Sequence, residues 1–301
     1  MKSKTLFAAL AVASLSLVSC ESVITEEMTI DLNLSVTEST TPEFEAFVED
    51  GCSGTTTRTA LSNSTNSNGN YYLTWEKNDA ISITDGTNSA IYKTTECGSN
   101  VKFEKEYGRI SNTAATYKAF YPSYLTPQNM ELPVIQEYVV NGVKDFPMYA
   151  ESCSTTLQFK NLCGILRVSL KNLDTDNSTS IKNITVMADG KGLSGKFTIG
   201  ECGAAVTCGT GTTTLSCTSP VALNSCSATD FNIILPKGEY CGMKLKITTD
   251  DGKVVNLKAQ GAINIRRSGI TKVNIALKPA TFTGGLEDIT ITESDVEFNE
   301  R

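Results

Sequence analysis

Histidine is absent from this chain, and no GxSxG, HExxH or GxxxxGK[ST] pattern occurs in it, so the side chains best placed for covalent chemistry are its ten cysteines. Without histidine there is no Ser-His-Asp or Cys-His catalysis, no histidine general base and no histidine-bound metal. Any two of the 33 acidic residues could meet in space, so sequence does not exclude a carboxylate pair, but nothing points to one. The chain is therefore expected to be no enzyme, with no catalytic residues, cofactor or metal. One cysteine stands apart. Cys20 closes the stretch Ser16-Leu17-Val18-Ser19-Cys20, after Lys2, Lys4 and a run from Leu6 to Val18 that is apolar apart from Ser14 and Ser16. That run is shorter than the roughly twenty residues a membrane-spanning helix needs. A basic start, an apolar middle and small residues before a cut are the anatomy of an export signal, here residues 1–19.

Leu17-Val18-Ser19-Cys20 resembles the lipobox of bacterial lipoproteins, which implies that the Cys20 thiol is acylated and that Cys20 becomes the new N-terminus. The thiol then serves as an anchor. Each buried CH₂ of an acyl chain contributes roughly 0.8 kcal/mol, so two or three chains hold a protein stably on a membrane. The alternative is an ordinary secretory signal that contains a cysteine. Of the nine other cysteines, Cys202, Cys208, Cys217 and Cys226 crowd a Gly/Thr/Ser-rich stretch, where export would allow pairing in one of three connectivities, or a habitat without oxygen would leave them reduced. Cys241 alternates with Met243, Leu245 and Ile247 and reads as a buried thiol on a strand face. No CxxC pair exists to hold zinc.

Loss of Lys2 and Lys4 with the signal takes the basic count from 26 to 24 against 33 acids, and the net charge from −7 to −9. Such a balance disfavours nucleic acid as a partner. The remaining 282 residues suffice for two domains. Period-two alternation dominates them, beginning with Met28, Ile30, Leu32, Leu34 and Val36. Further strand patterns cover Tyr71 to Ile83, Thr116 to Tyr121, Leu157 to Leu170, Ile181 to Ala188, Phe231 to Leu235, Lys244 to Thr248, Val254 to Leu257, Ala262 to Ile265 and Ile270 to Leu277. Turn pairs such as Asn68-Gly69, Asp85-Gly86, Asp189-Gly190 and Asp251-Gly252 punctuate them. With no sustained helical period the chain reads as all-β. The pattern pauses at FPMYAESCS (146–154), which places a domain boundary near residue 150, with 59–150 as the rest of a first unit that also takes in the strand Met28 to Val36, and a second unit over 151–279.

Thr57-Arg58-Thr59, Tyr72-Leu73-Thr74-Trp75, Asp79-Ala80-Ile81-Ser82-Ile83, Ala119-Phe120-Tyr121-Pro122, Leu132-Pro133 with Gln136, Pro147-Met148 and Leu157-Gln158-Phe159-Lys160-Asn161-Leu162-Cys163-Gly164 occur in this order. Together they resemble the fimbrillin-like lipoproteins of gut and oral Bacteroidetes, the subunits of type V pili. The resemblance implies two tandem antiparallel β-sandwiches of transthyretin-like form and lipid-anchored export to the outer membrane and cell surface. It also implies cleavage behind an arginine by a trypsin-like maturation protease, and assembly with other pilus subunits by strand exchange. A host or bacterial surface ligand would be a further partner.

The residues can support such a course. No lysine or arginine lies between Cys20 and Arg58, while nine acids do, so Arg58 is the first tryptic site of the mature chain. The preceding Gly51 to Thr57 are small and polar, as suits an exposed cleavage site. A cut there would divide a propeptide, 20–58, from the rest and release the strand formed by Met28 to Val36. Five apolar side chains on one face correspond to about 8 to 15 kcal/mol of burial, comparable with a whole domain's stability, so the groove must be refilled. In the family the C-terminal tail supplies the new strand. Here the tail, 280–301, offers Ile289 with Ile291 and Val296 with Phe298, but the two pairs differ in parity and call for a switch of face between Thr292 and Asp295, as a bulge would give. The alternatives for the tail are an ordinary terminal strand or a frayed end. If Cys52 were disulfide-bonded to a later cysteine the cut segment would stay tethered, so an unpaired Cys52 is expected.

A second reading, a non-polymerising surface lipoprotein that binds glycans, rests on Tyr107, Tyr124 and Tyr138 near turns. Asp174-Thr175-Asp176-Asn177 alternates oxygen ligands but lacks the Gly and distal Glu of an EF-hand loop, and reads as a solvated connection.

Overall fold

The computed structural model describes residues 41–49, 60–61, 73–173, 178–201, 203–277, 288–292 and 295–299. These contain strands and turns and no α-helix. In chain order the strands are β1 (Phe44–Val48), β2 (Ala60–Leu61), β3 (Leu73–Thr74), β4 (Ala80–Thr84), β5 (Ser89–Lys93), β6 (Asn100–Gly108), β7 (Tyr117–Tyr121), β8 (Glu131–Leu132), β9 (Ile135–Glu137), β10 (Met148–Ser152), β11 (Thr156–Asn161) and β12 (Cys163–Asn172). There follow β13 (Ser180–Met187), β14 (Ser194–Gly200), β15 (Gly203–Thr210), β16 (Thr212–Ala222), β17 (Thr229–Pro236), β18 (Gly238–Cys241), β19 (Lys244–Thr249), β20 (Val254–Ala259), β21 (Ala262–Ile265), β22 (Ile270–Leu277), β23 (Asp288–Ile291) and β24 (Val296–Asn299).

The all-β expectation holds, but the first half is not an open sandwich. Seven strands close into a barrel in the order β1-β11-β10-β7-β4-β5-β6, with β6 returning to β1. Its centre is Trp75, which packs edge-on against Phe103, Tyr121 and Phe159 at centroid distances of 5.1, 5.4 and 5.1 Å. Such T-shaped pairs set the positive ring edge against the negative face. A strand ahead of residue 59 is expected to complete this unit; the one the structure describes there is β1, whereas Met28 to Val36 lie outside the described residues.

The second half stacks a four-stranded sheet, β17-β12-β22-β24, on a six-stranded one, β23-β20-β19-β13-β16-β9. Leu166, Val168 and Leu170 of β12 meet Ile184, Val186, Leu245 and Ile247 in its core. The strands are not uniformly antiparallel: β12 with β22, β16 with β9 and β20 with β23 run parallel. Asn161 ends the last barrel strand and Cys163 begins β12 of the four-stranded sheet, so the expected run from Leu157 to Leu170 is two strands with a corner at Leu162. The expected boundary at residue 150 falls inside β10, which pairs with β7 and β11 in the barrel.

Two further expectations are corrected. The run from Tyr71 to Ile83 is broken by a turn in which Asp79 N–H donates to the Glu76 carbonyl at 2.9 Å and Asn78 takes a φ of 76°. Cys241 is exposed and ends β18, because Gly242 at φ 64° interrupts the alternation before Met243, Leu245 and Ile247, which are buried. Of the two alternatives open for Cys208, Cys217 and Cys226, the structure has the reduced one, with all three as free thiols. Cys202 and Cys52 lie outside the described residues, as do Asp174 to Asn177.

Candidate functional site: the strand that closes the barrel

Cys20, Arg58 and the segment formed by Met28, Ile30, Leu32, Leu34 and Val36 lie outside the described residues. What the structure describes on the N-terminal side of Arg58 is a strand the sequence reading missed. β1, Phe-Glu-Ala-Phe-Val, buries Phe44, Ala46 and Val48, exposes Glu45 and leaves Phe47 half-buried. It runs antiparallel to β6, with Phe44 opposite Phe103 and Ala46 opposite Val101. On its other side it runs parallel to β11, with Ala46 beside Leu157 and Val48 beside Phe159.

The side chains fit their surroundings closely. Phe44 stands edge-on to Tyr92 and Tyr117, with ring centroids 4.9 and 5.0 Å away. Just ahead of the strand, the Tyr92 hydroxyl donates to the Pro42 carbonyl at 3.0 Å. Asn100 donates to the Glu45 carboxylate at 2.7 Å across the exposed face. Burial of Phe44, Ala46 and Val48 is worth about 4 to 7 kcal/mol, nearly all of it from Phe44 and Val48. A typical domain has a net stability of about 5 to 15 kcal/mol, so the barrel without this strand is marginal at best.

At the end of β1, Glu49 turns towards the corner between the halves. Its N–H donates to the Phe159 carbonyl at 2.7 Å, and its carboxylate accepts from the Asn161 backbone N–H, the Ser268 hydroxyl and the Arg267 guanidinium. Gly164 makes this approach possible. A Cβ there would stand 2.1 Å from the Arg266 carbonyl oxygen, so a residue with a side chain would push the 266–269 turn away.

The tail residues do not share one strand. Ile289 and Ile291 lie in β23, parallel to β20, with Ile289 beside Leu257. Val296 and Phe298 lie in β24, antiparallel to β22, with Phe298 opposite Thr271. The parity change comes from a turn between two sheets and not from a bulge. Asp295 N–H donates to the Thr292 carbonyl at 3.0 Å, while Thr292 N–H and hydroxyl donate to the Asp295 carboxylate at 2.9 and 2.8 Å. Ile291 is buried in the second core, and a cavity of about 310 Å³ lies between Ile291, Val296 and Ile263.

Gln136, picked out in sequence only as part of a motif, ties the two sheets of the second half together. From β9 its amide nitrogen donates to the Ile234 carbonyl at 2.8 Å, and its amide oxygen accepts the Ile234 N–H at 2.8 Å. The side chain thus pairs with β17 as another backbone would. Of the three tyrosines considered for glycan stacking, Tyr107 is 63% and Tyr124 43% exposed, whereas Tyr138 packs on Phe231 at 5.2 Å.

No protein-family model and no curated protein matches this chain. Solved structures do resemble it. A candidate cell adhesion protein of Bacteroides ovatus aligns over 86% of this chain and 96% of its own, at 13% identity and a TM-score of 0.51. A candidate cell adhesion protein of Bacteroides uniformis aligns over 86% and 96%, at 15% identity and a TM-score of 0.42. The tip fimbrial protein Mfa3 of Porphyromonas gingivalis, truncated at its C-terminus, aligns over 86% and 99%, at 8% identity and a TM-score of 0.31. The structural neighbours are thus candidate adhesion proteins and fimbrial proteins of Bacteroidetes, in keeping with the resemblance read from the motifs. The first of them has the same fold as this chain.

Proposed function

We propose that this chain is a structural subunit or adhesin of a type V pilus, exported to the cell surface as a lipoprotein anchored through Cys20. A trypsin-like protease cuts after Arg58, and subunits join by donor-strand exchange. The observation that carries this reading is β1. It is the last described strand before Arg58, and it fills a gap with hydrogen-bonding neighbours on both sides. Once the chain is cut, β1 is held only by non-covalent contacts. Its departure leaves an apolar groove flanked by the edges of β6 and β11, and an extended strand from another subunit restores both ladders by β-augmentation. Residues 20–58 act as a propeptide that occupies the groove until assembly. The tail from 280 onward, with Ile289, Ile291, Val296 and Phe298, is the source of the donor in this scheme, and its strands must first leave the second half. Support for an adhesin role also comes from the fold shared with the Bacteroides ovatus adhesion candidate.

Mild trypsin treatment of the purified precursor tests this. The expected result is a ladder of oligomers that an Arg58→Ala variant does not form; monomer throughout in both proteins contradicts it. A second reading, glycan binding without polymerisation, draws on the exposed rings of Tyr107 and Tyr124. It predicts glycan binding that survives removal of residues 279–301 and is lost in a Tyr107→Ala, Tyr124→Ala double variant.

A further inference from the structure

The groups around Glu49 form a carboxylate niche that the rest of the molecule holds in shape. Glu49 Oε1 accepts from Asn161 N–H at 2.9 Å, from the Ser268 hydroxyl at 3.0 Å and from Arg267 Nη1. The same three residues also bond to one another. Arg267 Nη1 donates to the Asn161 carbonyl at 3.0 Å, the Asn161 side-chain amide donates to Ser268 Oγ at 3.1 Å, and Ser268 N–H donates to the Cys163 carbonyl at 3.0 Å. Asn161 is fully buried and Ser268 nearly so. Arg267 and Glu49 side chains are 30% and 15% exposed. None of these donors belongs to the segment ahead of Arg58. When that segment leaves, a guanidinium, a hydroxyl and a buried backbone N–H lose their shared acceptor, and a partly desolvated donor left unpaired is costly.

We propose that this niche selects the incoming strand: whatever replaces β1 must carry a carboxylate directly after its third inward-facing residue, in the order set by Phe44, Ala46, Val48 and Glu49. This rests on the strand-exchange reading above and specifies its partner chemically, as an extended segment of another subunit with alternating apolar residues and one acid. Alternation alone tolerates a slip of two residues along the groove, which keeps the same face inward. The carboxylate removes that ambiguity, because a slipped strand carries it about 7 Å away from Arg267, at roughly 3.3 Å per residue. Charge-assisted bonds to a planar guanidinium add directional preference for a carboxylate over a neutral amide.

The test uses the full mature chain with a site for a specific protease in place of residues 53–58. After cutting, fluorescent peptides of residues 41–52, with and without Glu49→Gln, compete for the groove, and anisotropy gives their apparent affinities. The peptide carrying Glu49→Gln is expected to bind at least tenfold more weakly, and the gap to fall below threefold on an Arg267→Gln chain. Equal uptake of both peptides by the unaltered cut chain overturns the niche while leaving strand exchange in place. Uptake of neither overturns strand exchange itself, and the niche with it. The comparison on the unaltered chain does not depend on the Arg267 variant folding.

Discussion

β1 closes the barrel from between two neighbours, whereas β23 and β24, which complete the second half, each pair along one side of an outer strand. Removing β1 therefore opens a ring and exposes two facing edges at once, while removing the tail only shortens two sheets by a strand each. A gap with two matched edges has one good filling, an extended segment of the right length and face. A shortened edge has no such demand, since open sheets end in edges anyway. The two halves thus differ in how strongly they require a replacement strand.

The largest effect is expected in β1. Phe44→Ala removes a fully buried ring from between Tyr92 and Tyr117 and should lower the stability of the uncut chain by about 3 to 5 kcal/mol. Ile291→Ala in the tail, also buried but on an edge strand, should cost about 2 kcal/mol, at the low end for such changes. Urea midpoints of the two variants decide this; equal losses would remove the contrast between ring and edge. Next is Gln136→Ala, which leaves the Ile234 N–H and carbonyl without their partner inside the second half. A loss of about 2 to 3 kcal/mol is expected by the same measurement.

Thiol labelling probes packing in both halves with no change of sequence. Burial raises the Cys163 thiol far above its ordinary range and pushes Cys217 up to about 11. Both should resist maleimide in the native protein, while Cys97, Cys153, Cys208, Cys226 and Cys241 react. The smallest effect concerns Asp85 in the β4–β5 turn. Burial works to raise its pKa, but N–H groups of Asn88, Ser111 and Thr87 outweigh it and hold the carboxyl at about 2 against 3.8. Because the folded value is depressed, its stabilising contribution is complete above about pH 4 and is lost as pH falls towards 2. Asp85→Asn should therefore flatten the acid limb of a stability–pH profile below pH 4 and cost about 1 kcal/mol near neutrality.

Much of the strand content could be read directly. Ile270 to Leu277 and Ala262 to Ile265 coincide with β22 and β21 at both ends, because their alternation is clean and bounded by turns. β1 escaped because Glu43, Glu45, Glu49 and Asp50 surround a three-residue apolar face that includes a small alanine, so the stretch reads as acidic before it reads as amphipathic. β14 and β15 escaped for a related reason. They are glycine- and threonine-rich, and at Gly195 and Gly209 the backbones pass so closely that side chains are excluded. Barrel closure and the splitting of the tail between two sheets depend on long-range pairing, which alternation cannot report. The niche around Glu49 joins residues more than one hundred positions apart, and only Gly164, already marked as part of a motif, hinted at a close approach there.

The central claim is that the strand ahead of Arg58 is integral to the barrel and yet replaced on the cell. N-terminal sequencing of the form displayed on cells tests it most directly. A start at Thr59 with residues 41–49 absent is the predicted result. A surface form that still begins at Cys20 and retains Phe44 to Val48 contradicts it.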